Sequence, residues 1–175
     1  MSEKQDGGAA CAVMSPCGTY RYALSRPAEV PPERGTAMFL MLNPSIADAT
    51  LDDPTIRRCR GFARSWGCNG LTVMNLYALR STDPAGLWKH PDPVGPENEY
   101  HLRLAAREYG DVVCAWGAHA KADRVAAVTS LLREAGARLW CLGVTASGAP
   151  RHPLYVRGDQ PVLAWPIAAR AEVKS

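Results

Sequence analysis

Four short apolar runs punctuate the chain, at residues 37–42, 71–79, 111–116 and 138–142. Each is bounded by turn residues and too short for a buried helix, the pattern of strands covered on both faces. Between them apolar residues recur at helical spacing. Ile56, Cys59, Phe62, Ala63 and Trp66 mark one stripe of a helix over 54–66, with arginines on its other face. Asp52 or Asp53 is placed to cap that helix, Pro54 to open its first turn and Gly67 to end it. Further helices are expected over 97–109 and 118–135, the latter stopped by Gly136. The second strand closes at Ser81-Thr-Asp-Pro84, and a proline-rich loop follows as far as Pro96.

Apolar strands alternating with helices predict an α/β protein: a three-layer sandwich around a mainly parallel four-stranded sheet, with right-handed crossovers. Tyr20 to Leu24 adds an N-terminal edge strand. Residues 1–17 are small, polar and aperiodic and are expected to be a flexible tail, which leaves 18–175 as a single α/β domain. A chain of 175 residues is long enough for one full core and short for two.

Composition narrows the class without naming it. The chain is 47% hydrophobic and 21% charged, which is ordinary for a globular protein. No apolar run approaches the roughly 20 residues that span a bilayer, so no membrane partner is expected. The opening residues lack the basic start and apolar stretch of a signal peptide, which predicts a cytoplasmic location. Of the six cysteines, Cys59, Cys114 and Cys141 fall at apolar positions, where a thiol packs as a small hydrophobe. Cys11 and Cys17 do not have a usual zinc spacing and no CxxC occurs, so neither a metal–thiolate site nor a disulfide framework is expected. Net charge is +3, compatible with a polyanionic partner without demanding one. More telling is the concentration of Arg57, Arg58, Arg60 and Arg64 in one segment.

In an open α/β sheet, ligands bind beyond the carboxyl ends of the strands. Asn43-Pro44-Ser45 and the loop carrying Asp48, Asp52 and Asp53 follow the first strand. Asn75 and Arg80 belong to the second, His119 follows the third, and Arg151, His152 and Tyr155 follow the fourth. The chain has no GxGxxG, no GxxxxGK[ST] and no GxSxG, which argues against a dinucleotide fold, a P-loop and a nucleophile elbow. Asn75, polar within an apolar strand, is either bonded to a neighbouring loop or the reader of a base edge, since one amide offers a donor and an acceptor. His152 is either an exposed loop residue or a donor to a developing oxyanion. Asp52 and Asp53 are better explained by capping than by Mg²⁺ binding, and Asp48 stays open between the two.

The segments LNPSIADATLDDPTIRRC, NLYALRSTDP, DPVGPEN and GAPRHPLY resemble the signatures of an uncharacterised bacterial and phage family of domains of unknown function. More distantly, the order of motifs resembles the uracil-DNA glycosylase superfamily. Met41-Leu-Asn43-Pro-Ser45 is similar to the GINPG motif of its mismatch-specific branch, whose Asn positions the attacking water. The strand Val73 to Pro84 resembles the one whose Asn reads the base in the thermostable branch, and Val113 to Ala120 the apolar strand that follows it. His152-Pro153-Leu154 is similar to the start of HPSPL, whose His stabilises the leaving base and whose Leu wedges into the duplex. Ala78 stands where an iron–sulfur ligand would fall, and Tyr155 replaces the final Pro of HPSP.

The resemblance implies a glycosylase-like protein that flips a standard or modified nucleobase out of nucleic acid, DNA ahead of RNA, and hydrolyses its N-glycosidic bond. Asn43 and His152, with Asp48 beside them, would carry catalysis. Pro44, Ser45, Asn75, Arg80, Leu154 and Tyr155 would hold the substrate. Arg57, Arg58, Arg64 and Arg151 would meet phosphates. No metal or cofactor is implied, and a monomer is expected. The alternatives are a non-catalytic nucleic-acid or nucleotide-binding module of the same fold and a metal-dependent phosphoesterase built on the Asp48 cluster.

Overall fold

A computed structural model describes residues 10–27, 34–45, 51–68 and 70–166. In chain order the elements are β1 (Cys11–Met14), β2 (Arg21–Arg26), β3 (Thr36–Met41), α1 (Pro54–Ser65), β4 (Gly70–Asn75), α2 (Pro84–Leu87), α3 (Asn98–Tyr109), β5 (Asp111–Cys114), α4 (Ala122–Glu134), β6 (Arg138–Cys141) and β7 (Leu163–Ala164). A 3-10 turn, Pro153–Tyr155, precedes β7. All the strands lie in one mixed sheet of order β1-β2-β4-β3-β5-β6-β7. β3 pairs parallel with β4 and β5, and β5 parallel with β6, while β1, β2 and β7 join antiparallel.

The sheet is therefore seven-stranded rather than four-stranded with a single added edge. β2, expected at the edge, is covered by β1, and β1 lies within the stretch expected to be tail. Its four residues are nearly all exposed, so they carry no alternation from which a strand could be read. The strand expected over 71–79 stops at Asn75, and the chain continues to Leu79 as a buried loop, touching the sheet again in an isolated bridge between Tyr20 and Leu79. Within the proline-rich loop, Asp83 accepts from the Ala85 amide and caps the short α2.

Residue alternation on β3 explains the two-sided core. Phe39 and Met41 pack with Ile56, Cys59 and Phe62 of α1 on one face. Met38, Leu40 and Leu42 pack with Leu102 of α3 and Val128 and Leu132 of α4 on the other. Each such apolar side chain contributes roughly 1.5–3 kcal/mol through burial. Asp53 is the residue that caps α1, its Oδ1 accepting from the Ile56 amide at 2.8 Å, and Gly67 ends the helix region with a φ of 79°. Asp52 pairs instead with Arg26 and Arg60, at 2.7 and 2.9 Å. Among the described residues no helix is long and apolar enough to cross a membrane.

Candidate functional site

β3, β4, β5 and β6 all end on one edge of the sheet, and β2, running the other way, begins there. A cavity of about 610 Å³ opens at that edge, within the range of small-molecule pockets. Asn43 and Ser45 reach it from beyond β3, Asn75 from the last position of β4, Trp116 and His119 from beyond β5, and Arg151, His152 and Tyr155 from beyond β6. Gly117 makes the turn after β5 with a φ of 76°, donating to the Pro150 carbonyl at 2.9 Å. That bond ties the Trp116–His119 segment to the His152 segment across the cavity mouth.

Asn75 is 2% exposed. Its carbonyl accepts from Asn98 Nδ2 at 3.1 Å, but its own side-chain Nδ2 has no hydrogen-bond partner among the described residues. A buried donor without a partner is disfavoured by roughly 1–3 kcal/mol, and this amide can donate to a water or a ligand in the pocket.

Asn43 is differently committed. Its Nδ2 donates to the Pro44 carbonyl at 3.1 Å and the Ser81 carbonyl at 2.8 Å. Both amide protons are used to hold the loop together, which leaves Oδ1 as the atom that can accept from a ligand or a water. Pro44 is buried and receives the Ser81 amide at 3.0 Å, so it shapes the loop and does not line the cavity. Ser45 donates to Asp53 Oδ2 at 3.0 Å, locking the loop to the start of α1.

His152 Nδ1 accepts from the Leu154 amide at 3.3 Å. That bond places the imidazole proton on Nε2, making Nε2 a donor. Burial lowers the His152 pKa, against the opposing charge of Asp53, so the ring is neutral at pH 7.

Two further residues of the pocket, one cationic and one aromatic, were not among the expected site residues. Arg21, 4% exposed, is carried there because β2 starts where its neighbours end. Burial pulls its pKa down to about 10, with Asp53 acting the other way and Arg80 and Arg26 adding to the fall, so it stays a cation at neutral pH. An arginine opening a strand whose later residues alternate is the only sequence signal for it. Trp116, buried beside the cavity, supplies an aromatic wall and meets Trp165 edge to face at 5.1 Å between ring centroids.

Several expected site residues stand elsewhere. Asp48 lies outside the described residues. Leu154 is exposed and does not line the cavity, whereas Tyr155, 77% exposed, stands at its rim. Arg80 does not line the pocket, and its Nη1 donates to the Gly18 carbonyl at 3.1 Å. Arg58 is an internal clamp: it donates to the Pro153 and Val156 carbonyls and lies over the Phe62 ring. Arg57 and Arg64 are exposed on α1 outside the cavity, and Arg57 donates to the Asp52 carbonyl. Among the described residues no group of three or more His, Cys, Asp or Glu side chains is arranged to hold a metal ion.

The two-faced sheet and its polar strand-end cavity define a mixed α/β protein with a ligand-sized pocket fed by five strands. The chain belongs to the family described as a protein of unknown function (DUF1643), whose model matches residues 21–154. That span begins at the pocket's Arg21 and takes in Asn43, Asn75 and His152. No curated protein and no solved structure matched in the corresponding comparisons.

Proposed function

We propose that this protein hydrolyses the N-glycosidic bond of a standard or modified nucleobase in nucleic acid, DNA ahead of RNA, on a uracil-DNA-glycosylase-like scaffold. The observation that carries the reading is the buried Nδ2 of Asn75, which has no partner among the described residues and belongs to a cavity shared with Asn43 and His152. Three residues far apart in the chain, singled out by motif order, meet in that one pocket.

The chemistry follows from the atoms each residue has left. A base flipped from the stack presents an acceptor to Asn75 Nδ2. Asn43 Oδ1 accepts from a water and directs its oxygen at the anomeric carbon. As the new C–O bond forms, the C–N bond breaks and its electron pair passes to the base, where His152 Nε2–H holds the charge until the proton lost by the attacking water reaches the departing base anion through solvent. A neutral imidazole donor serves that role without first giving up a proton. Asp52 and Asp53, committed to ion pairs and to the α1 cap, have little left for a metal.

The second reading, a binding module of the same pocket, is favoured by one feature. Asn43 offers a single acceptor, a thin apparatus for activating water. Incubation with oligonucleotides that each carry one altered base, assayed for abasic sites and for free base, separates the two. Release of at least one base is expected. Tight, pocket-dependent binding with no release from any of them would establish the binding module instead.

A further inference from the structure

We infer that Asn98 and Arg124 are positioning residues for the pocket amide of Asn75, an inference resting on the reading of Asn75 as the group that meets the base. Regular pairing of β4 ends at Asn75. On the β3 side the ladder continues a little, Leu76 and Tyr77 donating to the carbonyls of Met41 and Leu42 at 2.8 and 3.0 Å. On the other side the register with β2 is confined to Leu71–Val73. The carbonyls of Asn75 and Leu76 are therefore buried where no strand receives them.

Side chains from two helices take them instead. Asn98, the first residue of α3 and fully buried, donates from Nδ2 to both carbonyls, at 3.1 Å to Asn75 and 3.0 Å to Leu76. Arg124 of α4, 8% exposed, donates from Nε to the Leu76 carbonyl at 2.9 Å. Its Nη1 pairs with Glu99 Oε1 at 2.7 Å, linking the neighbouring residue of α3 to the same point. Asn98 and Arg124 are thus two buried polar side chains from different helices converging on the two successive peptide units that follow Asn75. Burying such groups is costly unless their bonds are made, and here the bonds to the Asn75 and Leu76 carbonyls and to Glu99 are made, while Asn98 Oδ1 and Arg124 Nη2 have no partner among the described residues. Fixing the two peptide units that follow Asn75 restricts the direction in which its side chain leaves the backbone. Preorganisation of that kind decides whether a polar group meets its ligand without rearrangement.

The test follows the Asn75 side-chain amide directly. In the full-length protein its proton pair in a ¹⁵N–¹H spectrum is assigned by its disappearance in Asn75→Ala. Asn98→Ala and Arg124→Met are expected to shift or broaden that pair while the rest of the spectrum stays dispersed. Arg124→Lys, which keeps the charge, should bring the pair back toward its wild-type position, and Ser130→Ala on the outer face of α4 should leave it alone. A folded Asn98→Ala or Arg124→Met protein with the Asn75 pair unmoved would overturn the inference. If both of those variants fail to fold, Glu99→Gln, which weakens the hold on Arg124 Nη1 without removing the arginine, decides: a shift of the Asn75 pair larger than that of other side-chain amides supports positioning, and no such shift refutes it. A single-stranded oligonucleotide carrying one deoxyuridine, titrated into the same samples, reports separately on the base-binding reading. Its failure to bind wild-type protein leaves the amide measurement intact and counts only against that reading.

Discussion

The strand-end pocket and the arginine segment of α1 are neighbours in the chain and both read as functional, yet the fold uses them in different ways. The pocket collects its polar groups from distant segments: Arg21, Asn43, Asn75 and His152 are brought together by the way five strands share one edge. The arginine segment does the reverse. Successive helical residues point about 100° apart, so residues adjacent in sequence are dispersed. Arg58 turns inward to the Pro153 and Val156 carbonyls, Arg60 pairs with Asp52, and Arg57 and Arg64 stay exposed. A cluster in sequence is evidence of a site on a strand-end loop and poor evidence of one on a helix.

The largest effects are expected in the pocket. Asn43→Ala should reduce base release by about 100-fold or more while leaving nucleic-acid affinity nearly unchanged, because orienting a water matters to the transition state and not to the bound ground state. Asn75→Asp should change which base is accepted, since it replaces a donor with a charge. Single-turnover rates and binding isotherms for the same oligonucleotide separate the two effects. Because Asn43 also holds the Pro44 and Ser81 carbonyls, Asn43→Ala should lower stability by roughly 1–3 kcal/mol. A variant that keeps full activity removes Asn43 from the mechanism.

Next comes Arg58, which the comparison makes structural. Arg58→Ala should destabilise the protein by roughly 1–3 kcal/mol, because the Pro153 and Val156 carbonyls lose their donor and the 3-10 turn beside His152 loosens. Arg57→Ala, on the exposed face, should stay within about 0.5 kcal/mol of wild type. Denaturant midpoints at matched ionic strength measure both. Equal losses would mean that the two arginines do not differ in the way their contacts indicate.

The pH dependence of stability is a smaller effect and distinguishes the two regions by the pH window in which each acts. His152 has a lowered folded pKa, so between that value and 6.5 the unfolded chain holds a proton that the folded one does not. Stability then rises with pH through that window and is level above it. In His152→Asn the slope should vanish. Burial alone would raise the Asp52 pKa, but its bonds to Arg26 and Arg60 outweigh this and hold it below 3.8. Its contribution is complete above 3.8 and disappears as pH falls through the lowered value. Asp52→Asn should therefore blunt the loss at strongly acid pH and leave the limb near pH 6 unchanged.

What was legible in the sequence follows the same division. β3 could be placed because both its faces are buried, so its apolar run is unbroken. The α1 cap could be narrowed to Asp52 or Asp53, and only the bond to the Ile56 amide decides for Asp53. Asn43, Asn75 and His152 were visible as polar residues at strand ends. Arg21 was not, because its place in the pocket depends on β2 running against its neighbours, a matter of pairing rather than of local pattern. Asn98 and Arg124 were hidden for a related reason. On amphipathic helices they look like members of the solvent face, and their burial arises only where β4 departs from the sheet.

The finest test of the contrast is the salt dependence of nucleic-acid binding. Each phosphate neutralised by an arginine releases counterions and adds about 0.9 to the slope of log affinity against log salt for duplex DNA. Arg57 and Arg64, exposed on α1, and Arg151, at the pocket, remain candidates for such contacts. Arg57→Ala and Arg151→Ala should each flatten the slope by about one unit or less while weakening binding to every sequence alike. Arg58→Ala should leave the slope unchanged, because its guanidinium is already engaged with backbone carbonyls, and should show itself only in the denaturation experiment. The measurement needs a short duplex and affinities at several salt concentrations. If Arg58→Ala flattens the slope as much as Arg57→Ala does, the inward clamp opens when DNA binds, and the helix face contributes as one basic surface after all. If no substitution on α1 changes it while Arg151→Ala does, the phosphates are met at the pocket rim alone.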